Sequence, residues 1–184
     1  MKRITVAAIL SLVCASGFTA TQSDDDQVVK GRQASMKQMA AAAKTIAGMF
    51  DGKLAYDAAA FKTAAETIRA RTGTALIAEF PSASLGAPSG AKPDIDLARP
   101  EFEALARHIG TLATALAVRA ERAPPGITDD MRMGTGLVMG GGSLLGKRAG
   151  AAEVNPSKLP AEHVLHLILQ DCSSCHSKFR QRIE

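Results

Sequence analysis

Apolar residues recur at helical spacing through most of the chain and alternate at strand spacing almost nowhere. An acidic run, Asp24-Asp25-Asp26, suits the start of a helix, where it can cap and complement the positive end. Beyond it Val29, Met36, Ala43 and Phe50 fall seven residues apart, with Met39 and Ile46 on the adjacent row. Such a row is the seam by which one helix lies along another in a bundle, and Asp51-Gly52 predicts its end. A second helix is predicted after the cap candidate Asp57, with Phe61, Ala64, Ala65 and Ile68 inward and a weaker extension to Phe80, closed by Pro81. Residues 81–98 read as a connecting loop rich in turn residues. Pro100 fits the first turn of a third helix. Its residues Phe102, Leu105, Ile109, Leu112 and Leu116 give the cleanest amphipathic face in the chain, and Ala123-Pro124-Pro125-Gly126 stops it. A last helix is predicted from about Leu159 to Arg182, with Val164, Leu165, Ile168, Leu169, Cys172, Cys175 and Phe179 inward.

The pattern predicts an all-α fold, a four-helix bundle with a Gly-rich insertion between helices three and four. Residues 126–160 hold eight glycines by residue 150, together with Met131, Met133 and Met139. They lack a continuous apolar stripe and read as an appendage to the bundle. One Tyr and no Trp leave little of the vocabulary of strands.

The first twenty residues read differently. Lys2 and Arg3 precede an apolar run from Ile4 to Ala15, and small residues follow to Ala20, the pattern of a secretory signal. Residues 1–20 are therefore expected to be removed, leaving 21–184 as one domain. Cys14 lies inside the signal, and bulky Val13 before it disfavours a lipid anchor. Loss of Lys2 and Arg3 lowers the basic count from 22 to 20 against 18 acids, a net charge of +2. That excess is too weak for a nucleic-acid binder, which needs a concentrated basic face. No later stretch has the apolar length of a membrane span, so an exported protein without stable membrane insertion is expected.

Cys172-Ser173-Ser174-Cys175-His176 carries the chemistry. On a helix, residues three and four apart share a face, so both thiols and the imidazole point to one region. This is the c-type haem attachment sequence, in which the thiols become thioethers to the haem vinyl groups and the histidine ligates iron. Other readings compete. A thioredoxin-like pair normally sits in a βαβ context, absent here. A zinc site needs two more ligands, and His163 and His166 lie roughly 15 to 20 Å before His176 at ~1.5 Å per residue. A structural disulfide across two residues would stabilise little. No Ser/His/Asp or paired-carboxylate arrangement suggests hydrolysis, and an enzymatic role is not expected.

The placement of this motif in the last helix of a four-helix bundle resembles the class II c-type cytochromes, the cytochrome c′ family. The attachment stretch continues Cys175-His176-Ser177-Lys178-Phe179-Arg180, similar to the family's ending of Cys-His, two residues, an aromatic and Arg. Val28-Val29-Lys30-Gly31-Arg32-Gln33 looks like its first-helix Arg-Gln segment, and Gly52-Lys53-Leu54-Ala55-Tyr56-Asp57-Ala58-Ala59 like its turn into the second helix. The similarity spans all four helices; the Gly-rich segment departs from compact members.

The resemblance implies one covalently attached haem c on Cys172 and Cys175 with His176 as proximal iron ligand. It also implies that the residue four after the first-helix Arg faces the other side of the iron. Aligned on Arg32, that residue is Met36. A methionine there implies low-spin His/Met iron and a one-electron carrier, whereas an apolar residue implies a five-coordinate cytochrome c′ that binds nitric oxide or carbon monoxide. Periodicity by itself leaves Met36 as core filler, with Met39, Met131, Met133 and Met139 as other sources of a thioether. The resemblance suggests Arg32 as partner of a haem propionate and Arg180 as a neighbour of the proximal imidazole. His108, His163 and His166 read as surface or interhelical residues. A periplasmic location, periplasmic redox proteins as partners, and a monomeric or homodimeric state complete the expectation.

Overall fold

The computed structural model describes residues 20–86, 89–134 and 155–182. Four long helices, α1 (Ala20–Phe50), α2 (Ala58–Ala70), α5 (Arg99–Glu121) and α6 (Ala161–Phe179), account for the bulk of the described chain. Two short ones, α3 (Thr74–Ala78) and α4 (Asp94–Leu97), lie between α2 and α5. The long helices touch in a closed circuit, α1 on α2, α2 on α5, α5 on α6 and α6 on α1. That circuit is the expected all-α four-helix bundle. The signal segment lies outside the described residues save Ala20, and of the insertion only 126–134 and 155–160 are described.

Local chemistry explains the helix starts. The Asp57 carboxylate accepts from the Ala60 amide at 2.6 Å and caps α2. Pro100 stands in the first turn of α5, where its missing N–H costs nothing. The main core collects Ile46 and Phe50 of α1, Phe61 and Ile68 of α2, Leu112 and Leu116 of α5, and Val164 and Ile168 of α6. Phe50 and Phe61 meet edge to face with ring centres 6.0 Å apart. Each such fully buried side chain stabilises the fold by about 1.5–3 kcal/mol relative to exposure. No described helix is long and apolar enough to cross a membrane.

Several expectations need correction. α1 starts at Ala20, before the acidic run, because Thr21, Gln22 and Ser23 include no helix breaker and the helix extends back through them. The second helix does not run on to Phe80: it stops at Ala70, and Gly73, with φ of +64°, turns the chain into α3. Gly73 also packs against Gly110 of α5, and its amide donates to the Ala106 carbonyl at 3.2 Å. Two glycines facing each other allow that approach; a continuous α2 would forfeit it. Finally, Leu169 is 39% exposed, because α1 and α5 cover the Val164–Leu165–Ile168 face and Leu169 is turned off it.

A second, smaller apolar cluster forms beside the main one from Leu76, Phe80, Ala91, Ile95, Phe102, Ala106 and Phe179. It gathers α3, the loop to α5, the start of α5 and the end of α6. α6 ends at Phe179, short of the expected Arg182: the Arg180 backbone extends and forms an isolated antiparallel bridge with Ala91.

Candidate functional site

Helix α6 carries the two thiols and the imidazole within five residues, Cys172–His176. Cys172 and Cys175 are half-buried and free. Cys172 packs on the edge of the main core, whereas Cys175 packs on the smaller cluster. Burial, followed by the charge of Asp171, raises the Cys172 thiol. Burial, then Cys172 and Asp171, pushes Cys175 up to about 11. Both are thus thiols near neutral pH, unlike the depressed thiolates of dithiol redox pairs. His176 is exposed on the same helix. Partial screening of its ring from water, and next the Arg180 charge, lower its pKa, so the imidazole is neutral and able to donate a lone pair to a metal.

From the neighbouring helix α1 come Met36 and Met39, both half-buried, against the same cluster that Cys175 touches. The sequence thus nominated residues from the two ends of the chain, and the fold brings them to one place. The other methionines divide. Met131 is buried in the main core, away from this cluster, and Met133 is half-buried with its amide donating to Glu162. Met139 lies outside the described residues.

Arg32 takes an unexpected position. One turn before Met36, it is buried, 5% exposed, with its guanidinium over the Phe80 ring at 4.5 Å. One terminal nitrogen donates to the Glu79 carbonyl at 3.1 Å and the Ser84 hydroxyl at 3.2 Å. The other donates to the Ser84 carbonyl at 3.1 Å and the Ser89 hydroxyl. These four bonds use every terminal N–H of the fork and leave Nε for any propionate. Burial lowers the Arg32 pKa, and the Glu79 charge opposes that. Ser35, beside Met36, donates to the Glu79 carboxylate and accepts from Arg71 at 2.9 Å. Arg180 is exposed; its amide donates to the His176 carbonyl, and its charge is felt by the imidazole.

The remaining histidines serve the scaffold or the surface. His108 of α5 pairs with Asp171 of α6 at 2.7 Å, His166 is exposed, and the Nδ1 of His163 is buried without a partner among the described residues. Sequence reading missed Ser84, Ser89 and the run of rings Phe80, Phe102 and Phe179, tilted and edge to face with centres 5.0 and 5.5 Å apart. The serines sit in a loop, where periodicity carries no signal. The rings were legible singly but not as a run joining three elements.

The donor set suits a covalently held haem. Two free thiols three residues apart stand beside a neutral imidazole on α6, and one of them, Cys175, shares an apolar, aromatic cluster with the thioethers of Met36 and Met39. Comparison with known proteins bears on the same point. The model of the family described as Cytochrome C′ matches residues 27–137, a range that stops before the Cys172–His176 motif. Among solved structures, cytochrome c prime from Shewanella frigidimarina superposes with a TM-score of 0.60 at 19% identity, covering 86% of this chain and 97% of its own. Cytochrome c′ from Thermochromatium tepidum gives 0.59 at 21%, covering 86% and 97%. A nitric oxide complex of a mutant cytochrome c prime from Alcaligenes xylosoxidans gives 0.58 at 18%, covering 86% and 97%. At these identities the likeness concerns the fold. Among curated proteins none matches the chain in sequence.

Proposed function

Because the chain belongs to the cytochrome c′ family, whose members carry one covalently attached haem c, we propose that it is an exported, periplasmic one-electron carrier. Cys172 and Cys175 would hold the haem, and His176 and Met36 would ligate its iron. When bound, the haem supplies a one-electron iron couple. The observation that carries this reading is the convergence of Met36 from α1 and Cys175 from α6 on one apolar cluster.

The chain's own groups have distinct tasks. The two thiols anchor the group to α6, so a small bundle need not retain it by packing alone. The lowered pKa of His176 keeps its imidazole in the ligating, neutral form. A thioether from Met36 is a soft ligand that favours the ferrous state and so raises the potential. Phe80, Phe102 and Phe179 line the apolar cluster that Met36 and Cys175 touch and would disfavour added charge there. Redox proteins of the periplasm are the partners this role requires, with the chain acting as a monomer or homodimer.

The test is the absorption and electron paramagnetic resonance spectrum of the haem-bearing protein, wild type against Met36→Leu. Low-spin iron in the wild type should become five-coordinate and high-spin in the variant, with a lower potential and faster carbon monoxide binding. Leu nearly conserves volume, so stability should fall by less than about 1.5 kcal/mol. A wild type that is already high-spin, or a variant that stays low-spin, sinks the Met36 assignment. The first of these results would favour a five-coordinate cytochrome c′ that binds nitric oxide or carbon monoxide.

A further inference from the structure

The loop between α3 and α5, a mere connection by sequence, is bonded to both sides of the candidate site. Toward α1 it supplies the acceptors of Arg32, the carbonyl and hydroxyl of Ser84 and the hydroxyl of Ser89. Toward α6 the Lys92 amide donates to the Phe179 carbonyl at 2.9 Å, and the Gln181 amide donates to the Gly90 carbonyl at 2.9 Å. The Lys92 ammonium adds a bond to the Lys178 carbonyl at 3.0 Å. One atom joins the two sets. The Ser89 hydroxyl oxygen accepts from Arg32 and also from the Ala91 amide, at 3.1 Å in the latter case, and Ala91 bridges to Arg180. A second route runs in parallel, from the Arg32 guanidinium through the rings of Phe80 and Phe102 to that of Phe179.

We propose that Arg32 is a positioning residue whose clamp on Ser84 and Ser89 turns this loop into a strap, holding the Met36 turn of α1 and the His176 turn of α6 in fixed relation. Naming those turns as the ligand turns rests on the function proposed above; the strap itself rests on the bonds. The chemistry requires an arginine. A planar fork satisfies four acceptors at once, whereas an ammonium has three donors diverging from a single atom. The buried charge also makes the clamp selective: released from these acceptors, the guanidinium would face an apolar cluster with nothing to bond. A direct propionate contact through the terminal nitrogens would have to break it.

The experiment is hydrogen exchange of the full, haem-bearing protein, read at the Lys92 and Gln181 amides, with the spin state recorded on the same samples. Arg32→Lys keeps the charge and loses the fork; Ser89→Ala removes the shared acceptor and leaves Arg32 intact. Either should speed exchange at Lys92 and Gln181 by about tenfold or more, while amides of α2 and the middle of α5 stay as in wild type. The low-spin fraction should fall in both. Should Arg32→Lys fail to fold, Ser89→Ala carries the test alone. Exchange at both amides staying within about twofold of wild type in Ser89→Ala overturns the strap. So does an Arg32→Lys protein whose potential shifts while exchange at these amides is unchanged, since Arg32 would then act on a propionate. A high-spin wild type refutes the Met36 assignment, and the exchange rates still decide the strap.

Discussion

Gly110→Ala places a methyl group where two backbones cross. A Cβ on Gly110 would stand 2.8 Å from the Gly73 Cα and 3.0 Å from the Gly73 nitrogen. Both are main-chain atoms, so no side-chain rotation relieves the contact. Carbon atoms rest at about 3.5–4.0 Å, and the Gly73 turn must therefore retreat by roughly 1 Å. Its amide bond to the Ala106 carbonyl, already 3.2 Å long, does not survive that movement. Overpacking costs about 1–3 kcal/mol, and the lost bond costs about 1 kcal/mol. Alanine in place of a mid-helix glycine offsets about 1 kcal/mol. The net loss is about 2 kcal/mol, or roughly 4–8 °C at ~2–4 °C per kcal/mol for a chain of this size. Gly31→Ala is the matched control. It is exposed on α1 with nothing within 4 Å of the new Cβ, so it should gain up to about 1 kcal/mol. Thermal unfolding of the haem-bearing protein, followed by circular dichroism in the far ultraviolet, measures both. Gly110→Ala melting at or above wild type would refute the crossing, and with it the account of why α2 and α3 are separate helices.

Met131 is 6% exposed in the main core, so Met131→Leu should cost less than about 1.5 kcal/mol and leave the spin state alone. A change to high-spin iron in that variant would move the sixth ligand from α1 to the Gly-rich segment. Asp96 is held below the ordinary carboxylate pKa by the hydrogen bond from Arg99, and further by Ser82 and the Arg99 charge, against a desolvation that pulls the other way. Its folded pKa is depressed, so its contribution to stability is present above the ordinary carboxylate value and is lost as pH falls through the folded one. Arg99→Gln should raise the Asp96 titration seen by carboxyl NMR; an unchanged midpoint contradicts the assigned cause.

What the sequence carried well were features that a short window contains. The seam of Ala43, Ile46 and Phe50, the Asp57 cap, Pro100 at a helix start and the Cys172–His176 spacing are each set by neighbours within one or two turns. The errors share a different origin. Whether α2 continues past Ala70 depends on Gly110, far along the chain, meeting Gly73. Met131 reads as loop because a lone apolar residue between Asp130 and Arg132 has no period, yet it fills the main core. Leu169 was assigned inward from a stripe drawn one residue too wide. Arg32 was legible as important but not as a clamp, because its acceptors are two serines and a carbonyl on a segment without periodicity.

The same contrast bears on the proposed role of one methionine among several. Met36, Met39 and Met131 are chemically identical, and helical spacing turns the first two toward the same cluster. A seam of apolar side chains along a helix of 31 residues tolerates small rotations and slips, since alanine and methionine repack at little cost. A guanidinium with four particular acceptors does not. Four residues separate Arg32 from Met36, so the two lie on one face, a turn apart. Fixing the fork on Ser84 and Ser89 therefore fixes the rotation and height at which the Met36 side chain meets the cluster. Met39, seven residues and about two turns beyond Arg32, shares the apolar surroundings but lies further from the clamp. Under the proposed ligation, Met36 would be set apart from Met39 by its nearness to the buried guanidinium one turn before it.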